Sequence, residues 1–144
     1  MGTYKVCTEK HPEMEKNMIT IQQLVAVKDT LGSYESDAAF ARSVTGNYHN
    51  YVILEGRVLG YQEARNDLAL LIHKGITDDN IHLLFKEWDE VIEHYGRMSQ
   101  NARHQLKKDL YRGKVEAMRS AVAEMKEVVG KEWFIATVER KTTC

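Results

Sequence analysis

Residues 54–75, LEGRVLGYQEARNDLALLIHKG, decide how this chain folds. The stretch has the composition of a helix throughout, yet it contains two glycines, Gly56 and Gly60, four residues apart. A glycine inside a helix costs about 1 kcal/mol relative to alanine. A residue without a Cβ also lets a second helix backbone approach closely. The two glycines therefore predict a close helix–helix contact.

The helix that contains these glycines is apolar on two sides. At about 100° per residue, one face carries both glycines with Val52, Ile53, Leu59 and Ala64. The opposite face carries Phe40, Val44, Tyr51, Leu54, Val58, Tyr61 and Ile72. A helix that is apolar on two sides is expected to be buried on two sides.

Capping residues predict helices over residues 18–31, 36–74 and 78–129. Gly32 follows the first, Ser36 is a good N-cap for the second, and Gly75 and Thr77 mark the turn into the third. The only proline is Pro12, so no later proline interrupts a helix. The second and third helices exceed usual lengths, which predicts a kink or break at GNYHN (46–50) or YRGK (111–114).

These elements predict an all-α fold: a long antiparallel helical hairpin with a shorter N-terminal helix packed on it. Residues 18–144 form a single helical domain. Residues 1–17 are irregular or include a short strand. The tail, 131–144, either continues as helix or pairs with that strand in a minor two-stranded β ribbon, which its aromatic and β-branched residues favour.

The turn at 75–78 sets the register of the predicted hairpin and places Gly56 opposite Gly96. We therefore expect Gly56, Gly60 and Gly96 to form the close helix contact.

The tyrosine-rich face of the second helix needs a cover that the short first helix cannot fully provide. An exposed apolar face marks an interface, and twofold association is its commonest form. We expect a homo-oligomer, dimeric or larger, whose interface includes Tyr48, Tyr51, Val58 and Tyr61. The alternative is a kink that folds the third helix over this face within one chain.

Charge is unevenly distributed along the third predicted helix. Residues 78–93 are mainly acidic and residues 103–119 mainly basic. The candidate anion- or partner-binding residues are Arg42, Arg97, His104, Lys108, Arg112 and Arg119. Such a band is either a solvated face, a surface that matches the acidic end of a second copy, or a site for an external anion.

No motif predicts catalysis, a metal site or a cofactor. The histidines lack metal-ligand spacing, there is no Gly-x-Ser-x-Gly, and the glycines do not cluster as in a phosphate loop. Cys7 and Cys144 lie in no redox spacing.

The bulk composition places the chain among globular proteins. Hydrophobic residues make up 43% of it, too many for a disordered chain, and no apolar run is long enough for a membrane span. The first residues lack the apolar stretch of a signal peptide, so we expect a cytoplasmic protein. The net charge of -1 favours neither a nucleic-acid binder nor an acidic mimic.

Together these patterns favour a non-enzymatic interaction or regulatory protein that oligomerises through its second helix and binds a protein partner. A small phage accessory or inhibitor protein fits this description. The alternative is an anion-binding module that sequesters a nucleotide or phosphorylated ligand, or contacts nucleic acid, through the basic band.

Overall fold

The computed structural model describes residues 19–130, which are 89% helical and contain no strand. The helices in this range are α1 (Ile21–Val44), α2 (Tyr48–Lys74), α3 (Asp78–Asn101) and α4 (Gln105–Val129). The fold is therefore all-α, as the sequence predicts. The predicted β ribbon of the termini lies outside the described residues.

Polar side chains cap the first three helices. Thr20 and Gln23 form a reciprocal capping box at the start of α1. The side chains of Asn47 and Thr77 each accept a backbone N–H bond at the start of α2 and α3. Gly75 ends α2 with φ of +118°, a conformation that favours glycine. The turn between α2 and α3 lies where the sequence predicts it.

Two other predictions about helix ends are wrong: the helix end at Gly32 and the break at YRGK. Gly32 does not end a helix, because α1 continues through it and packs the glycine against the Arg65 side chain. The chain breaks instead at residues 45–47, which overlap one of the two predicted break regions, 46–50. The long third helix is also broken, at residues 102–104, whereas YRGK lies inside α4.

The four helices form a bundle in which successive helices run antiparallel. Ion pairs join α1 to α2 through Glu35 and Arg65, and Arg42 and Glu55. The α3 and α4 helices meet at the rings of Tyr95 and Tyr111, whose centroids are 5.8 Å apart. The predicted pair of long helices is thus replaced by four shorter ones.

The closest helix contact joins α2 to α4, which run parallel to each other. Gly56 faces Gly113, and Gly60 faces Ala117 one turn further along. A Cβ on Gly56 would collide with the carbonyl oxygen of Leu110, and a Cβ on Gly113 with the carbonyl oxygen of Ile53. Each backbone therefore occupies the space that a side chain would need.

The expected contact between Gly56 and Gly96 is wrong. No neighbouring heavy atom lies within 4 Å of the position that a Cβ would take on Gly96. The break at residues 102–104 explains the difference, because it turns the chain back and brings α4 against the glycine face of α2. The prediction that this face packs closely is confirmed, with Gly113 as the partner.

The core draws on all four helices. Its largest fully buried side chains are Trp88, Phe85, Leu24, Leu31, Leu68, Ile81, Met118 and Met125. Val58 and Tyr61 are only 6% and 8% exposed, and Tyr61 packs against the ring of Tyr34 on α1. The expectation that these two residues are uncovered is therefore wrong, because α1 is longer than predicted and the bundle buries them.

None of the helices in residues 19–130 combines the length and the apolar content that a bilayer span requires.

The glycine contact gives a sharp test of the fold. We expect Gly56→Ala and Gly113→Ala each to lower the free energy of unfolding by about 3 kcal/mol or more, because the new methyl group meets rigid backbone. Gly96→Ala is the matched control. It should raise the free energy of unfolding by about 1 kcal/mol, because alanine has a higher helix propensity than glycine and its methyl group meets no neighbouring atom. Urea denaturation measures all three. Equal effects at the three positions would contradict the assignment of the contact.

Candidate functional site

One end of the bundle gathers most of the candidate residues. Because successive helices are antiparallel, the break between α1 and α2 and the break between α3 and α4 lie at the same end. A hydrogen bond from the Ser99 hydroxyl to the Lys108 carbonyl oxygen, 2.9 Å long, joins the α3 and α4 sides of the second break. We call residues 40–51 and 97–112 the turn end.

The turn end carries large apolar side chains in contact with solvent. Phe40, Val44 and Tyr48 are 69%, 66% and 64% exposed. Tyr51, Met98 and Leu106 are also exposed. Single exposed apolar residues need no explanation, but a group of them at one end of a bundle does.

The aromatic part of this surface is ordered by its neighbours. The rings of Tyr48 and Tyr51 stack at a centroid distance of 6.2 Å, and the Arg42 guanidinium lies 6.0 Å from the Tyr51 ring. Arg42 is itself held by Glu55 at 2.6 Å. An aromatic surface fixed in this way loses little conformational entropy when a partner binds.

A buried carboxylate links the two halves of the turn end. Asp109 is only 4% exposed, and its oxygens accept hydrogen bonds from His49 at 2.8 Å and Gln105 at 2.9 Å. Since a carboxylate only accepts, the His49 Nδ1 atom carries the proton. Burial raises the pKa of Asp109, but the hydrogen bonds from His49 and Gln105 outweigh it and hold the pKa below its ordinary value.

Basic side chains surround the second break. Arg103, Lys107 and Lys108 form no ion pair with any other residue between 19 and 130. Arg103, His104 and Lys107 line a shallow groove of about 360 Å³ together with Met98 and Tyr111. The turn end is therefore both apolar and positively charged.

The structure brings together only part of the predicted site. Arg42, Tyr48, Tyr51, His104, Lys108 and Arg112 all lie at the turn end. Arg119 lies further along α4, away from that end. Arg97 lies at the edge of the turn end, but it pairs with Glu93 and lines the groove between α2 and α3 instead of the groove at the second break.

Several residues of the surface were not predicted. Arg103 and Lys107 belong to the basic segment but fall outside the helical stripe that the sequence defines. His49 and Asp109 lie 60 positions apart, and no spacing signals their contact. Phe40 and Val44 were recognised as apolar, but only the position of the break shows that they remain exposed.

A second groove, of about 650 Å³, lies between α2 and α3 and is lined mainly by carboxylates. The Trp88 indole donates to Asp67 at 2.9 Å, and the Tyr95 hydroxyl donates to Glu63 at 2.8 Å. Burial raises the pKa of Asp67, and burial with the hydrogen bond to Glu63 raises the pKa of Tyr95 to about 12. These bonds attach α3 to α2, so the groove has a structural role.

Within residues 19–130, no group of three or more histidine, cysteine or acidic residues is arranged to hold a metal ion. No protein-family model, curated protein or solved structure matches the chain at a significant level. The function must therefore be argued from the turn end itself.

The contact between His49 and Asp109 can be tested by stability. We expect His49→Ala to lower the free energy of unfolding by about 1–3 kcal/mol at neutral pH, because it leaves a buried carboxylate with one donor fewer. Asn50→Ala, in the same turn of α2, is the exposed control.

The effect should depend on pH in one direction. Because the pKa of Asp109 is lowered in the folded state, its contribution is complete above the ordinary value of 3.8 and is lost as the pH falls through the lowered value. Denaturation curves of the wild-type protein and of His49→Ala should therefore converge in acid. A difference that stays constant down to the acid-unfolded state would contradict this role for Asp109.

Proposed function

We propose that this chain is a non-enzymatic interaction protein that binds a macromolecular partner through its turn end. The observation that carries the proposal is the exposure of Phe40, Val44 and Tyr48 at the same end of the bundle as the cations of the second break that form no ion pair in the described residues. Binding energy at protein interfaces concentrates in aromatic and arginine side chains near the centre of the contact.

The polar contacts of the turn end support binding rather than chemistry. Arg42 is paired with Glu55 and His49 with Asp109, and both pairs tie one helix to another. Such pairs hold a surface in shape, and the most exposed side chains beside the first break are the apolar Phe40, Val44 and Tyr48. A rigid scaffold with one exposed binding surface is typical of proteins that act by binding to a site on another molecule.

Self-association remains the first rival. Of the four interface residues that the sequence predicts, Tyr48 and Tyr51 are exposed and available to a second copy, whereas Val58 and Tyr61 are buried. Sedimentation velocity over a wide concentration range tests this. A dimer that Tyr48→Asp dissociates would establish a second copy as the occupant, whereas a monomer that retains its exposed end supports a different partner.

Site-specific photo-cross-linking tests the proposal in the cells that produce the protein. We expect a photoreactive phenylalanine analogue at Tyr48 to give one discrete adduct with another macromolecule, because this side chain is 64% exposed beside the first break. The same analogue at Leu70, exposed at the opposite end of the bundle, is the control. Phe40→Asp in the same chain should abolish the adduct.

Two results would contradict the proposal. One is an identical set of adducts at Tyr48 and Leu70, which would indicate random collision. The other is a Tyr48 adduct that persists with Phe40→Asp.

A second candidate function is binding of a phosphorylated small molecule or a nucleotide. The groove between Arg103, His104, Lys107 and Tyr111 favours it, because cations and an aromatic ring line the same space. No equivalent combination supports this function in the acidic groove between α2 and α3.

Native mass spectrometry of the protein as purified tests this second function. The second function predicts one of two signals. One is a non-covalently bound mass whose released ligand absorbs ultraviolet light as a nucleobase does. The other is a rise in the melting temperature of the protein when a nucleotide is added. Arg103→Glu with Lys107→Glu should remove either signal, and Lys74→Glu at the opposite end should keep it. A chain of bare mass whose melting temperature does not respond to nucleotides would exclude this function.

A further inference from the structure

We infer that the partner of the turn end is a protein segment that presents carboxylates beside apolar side chains, as one face of an acidic amphipathic helix does. This inference rests on the proposed function and specifies the chemistry of the partner.

The first argument is the charge of the surface. Residues 40–51 and 97–112 contain six lysine or arginine residues and a single acidic residue, Asp109. That aspartate is buried and hydrogen-bonded to His49 and Gln105, so it presents no negative charge to a partner. Arg103, Lys107 and Lys108 remain uncompensated by any residue of the described chain.

The same charge disfavours a second copy at this end. Two turn ends brought face to face would place the three unpaired cations of one copy against those of the other, and like charges across an interface cost several kcal/mol. The partner must therefore supply the carboxylates.

The second argument is the apolar content, which favours a protein over a nucleic acid. Phosphate contacts would satisfy Arg103, Lys107 and Lys108 but would leave Phe40, Val44 and Leu106 in water. Interfaces with nucleic acid are more polar and more strongly positive than interfaces between proteins. The net charge of the chain is -1, and the acidic groove on α2 and α3 would repel a long polyanion.

The third argument is how the apolar and charged groups are arranged. The apolar residues Phe40, Val44 and Tyr48 flank the first break, and the free cations flank the second, at the same end of the bundle. An amphipathic helix with leucine or phenylalanine on one side and glutamate beside it matches this arrangement. It would bury its apolar face on α1 and α2 and place its carboxylates toward α4.

A synthetic amphipathic helical peptide with leucines on one face and glutamates beside them is the probe. Fluorescence anisotropy should show binding that weakens with added salt and falls about tenfold or more when every glutamate is replaced by glutamine. A single-stranded oligonucleotide of equal charge should bind more weakly than the peptide.

Matched variants separate the two contributions. Lys107→Glu with Lys108→Glu, and Phe40→Asp, should each weaken peptide binding about tenfold or more. Lys74→Glu and Leu83→Asp, at the opposite end, should leave it unchanged. Circular dichroism and melting temperatures show that each variant is folded, so a loss of binding is not a loss of structure.

Three outcomes overturn the inference: equal binding of the glutamate and glutamine peptides, tighter binding of the oligonucleotide, or binding that Phe40→Asp leaves intact. The proposed function fails separately, through the cross-linking experiment. A specific adduct at Tyr48 with a partner whose contact surface lacks carboxylates would reject the inference while the proposed function stands.

Discussion

The contact between the backbones of Gly56 and Gly113 is the constraint on which the rest of the structure depends. A parallel pair of helices this close has only one workable register, because a Cβ on either residue would occupy the position of a carbonyl oxygen on the other helix. The short distance also orients Cα–H groups toward those carbonyl oxygens, a weak favourable interaction that recurs in close helix pairs. The cost of the helical glycines is offset by contacts that no larger residue allows.

This register determines what lies at each level of the bundle. Before the two glycines it places His49 beside Asp109, and directly after Gly56 it places Arg57 beside Glu116, at 2.9 Å. It also brings the two chain breaks to one end. The apolar residues at the first break and the basic residues at the second therefore lie at the same end of the bundle, although about 55 positions separate Tyr48 from Arg103 in the sequence.

The sequence predicts those parts of the fold that depend on neighbouring residues. Gly75 and Thr77 mark their turn because a positive φ and an N-cap are local requirements. The break at Ala102–His104 carries no such signal, since alanine and arginine are good helix formers and His104 provides no side-chain cap. Because the sequence does not predict that break, it predicts Gly96 instead of Gly113 as the residue that faces Gly56. The candidate site was then only partly correct, because exposure depends on where the helices turn.

The turn end is positively charged although the net charge of the chain is nearly zero. Glu55 neutralises Arg42 and Asp109 is buried against His49, so the charge comes from Arg103, Lys107 and Lys108, which form no ion pair in the described residues. Five other acidic side chains line the groove between α2 and α3, so that groove and the turn end carry opposite charge. The field of such a molecule orients an approaching partner and raises the rate of encounter, whereas residence depends on how much apolar surface is then buried. The turn end combines cations, which can orient a partner, with the exposed side chains of Phe40, Val44 and Tyr48, which a partner can bury.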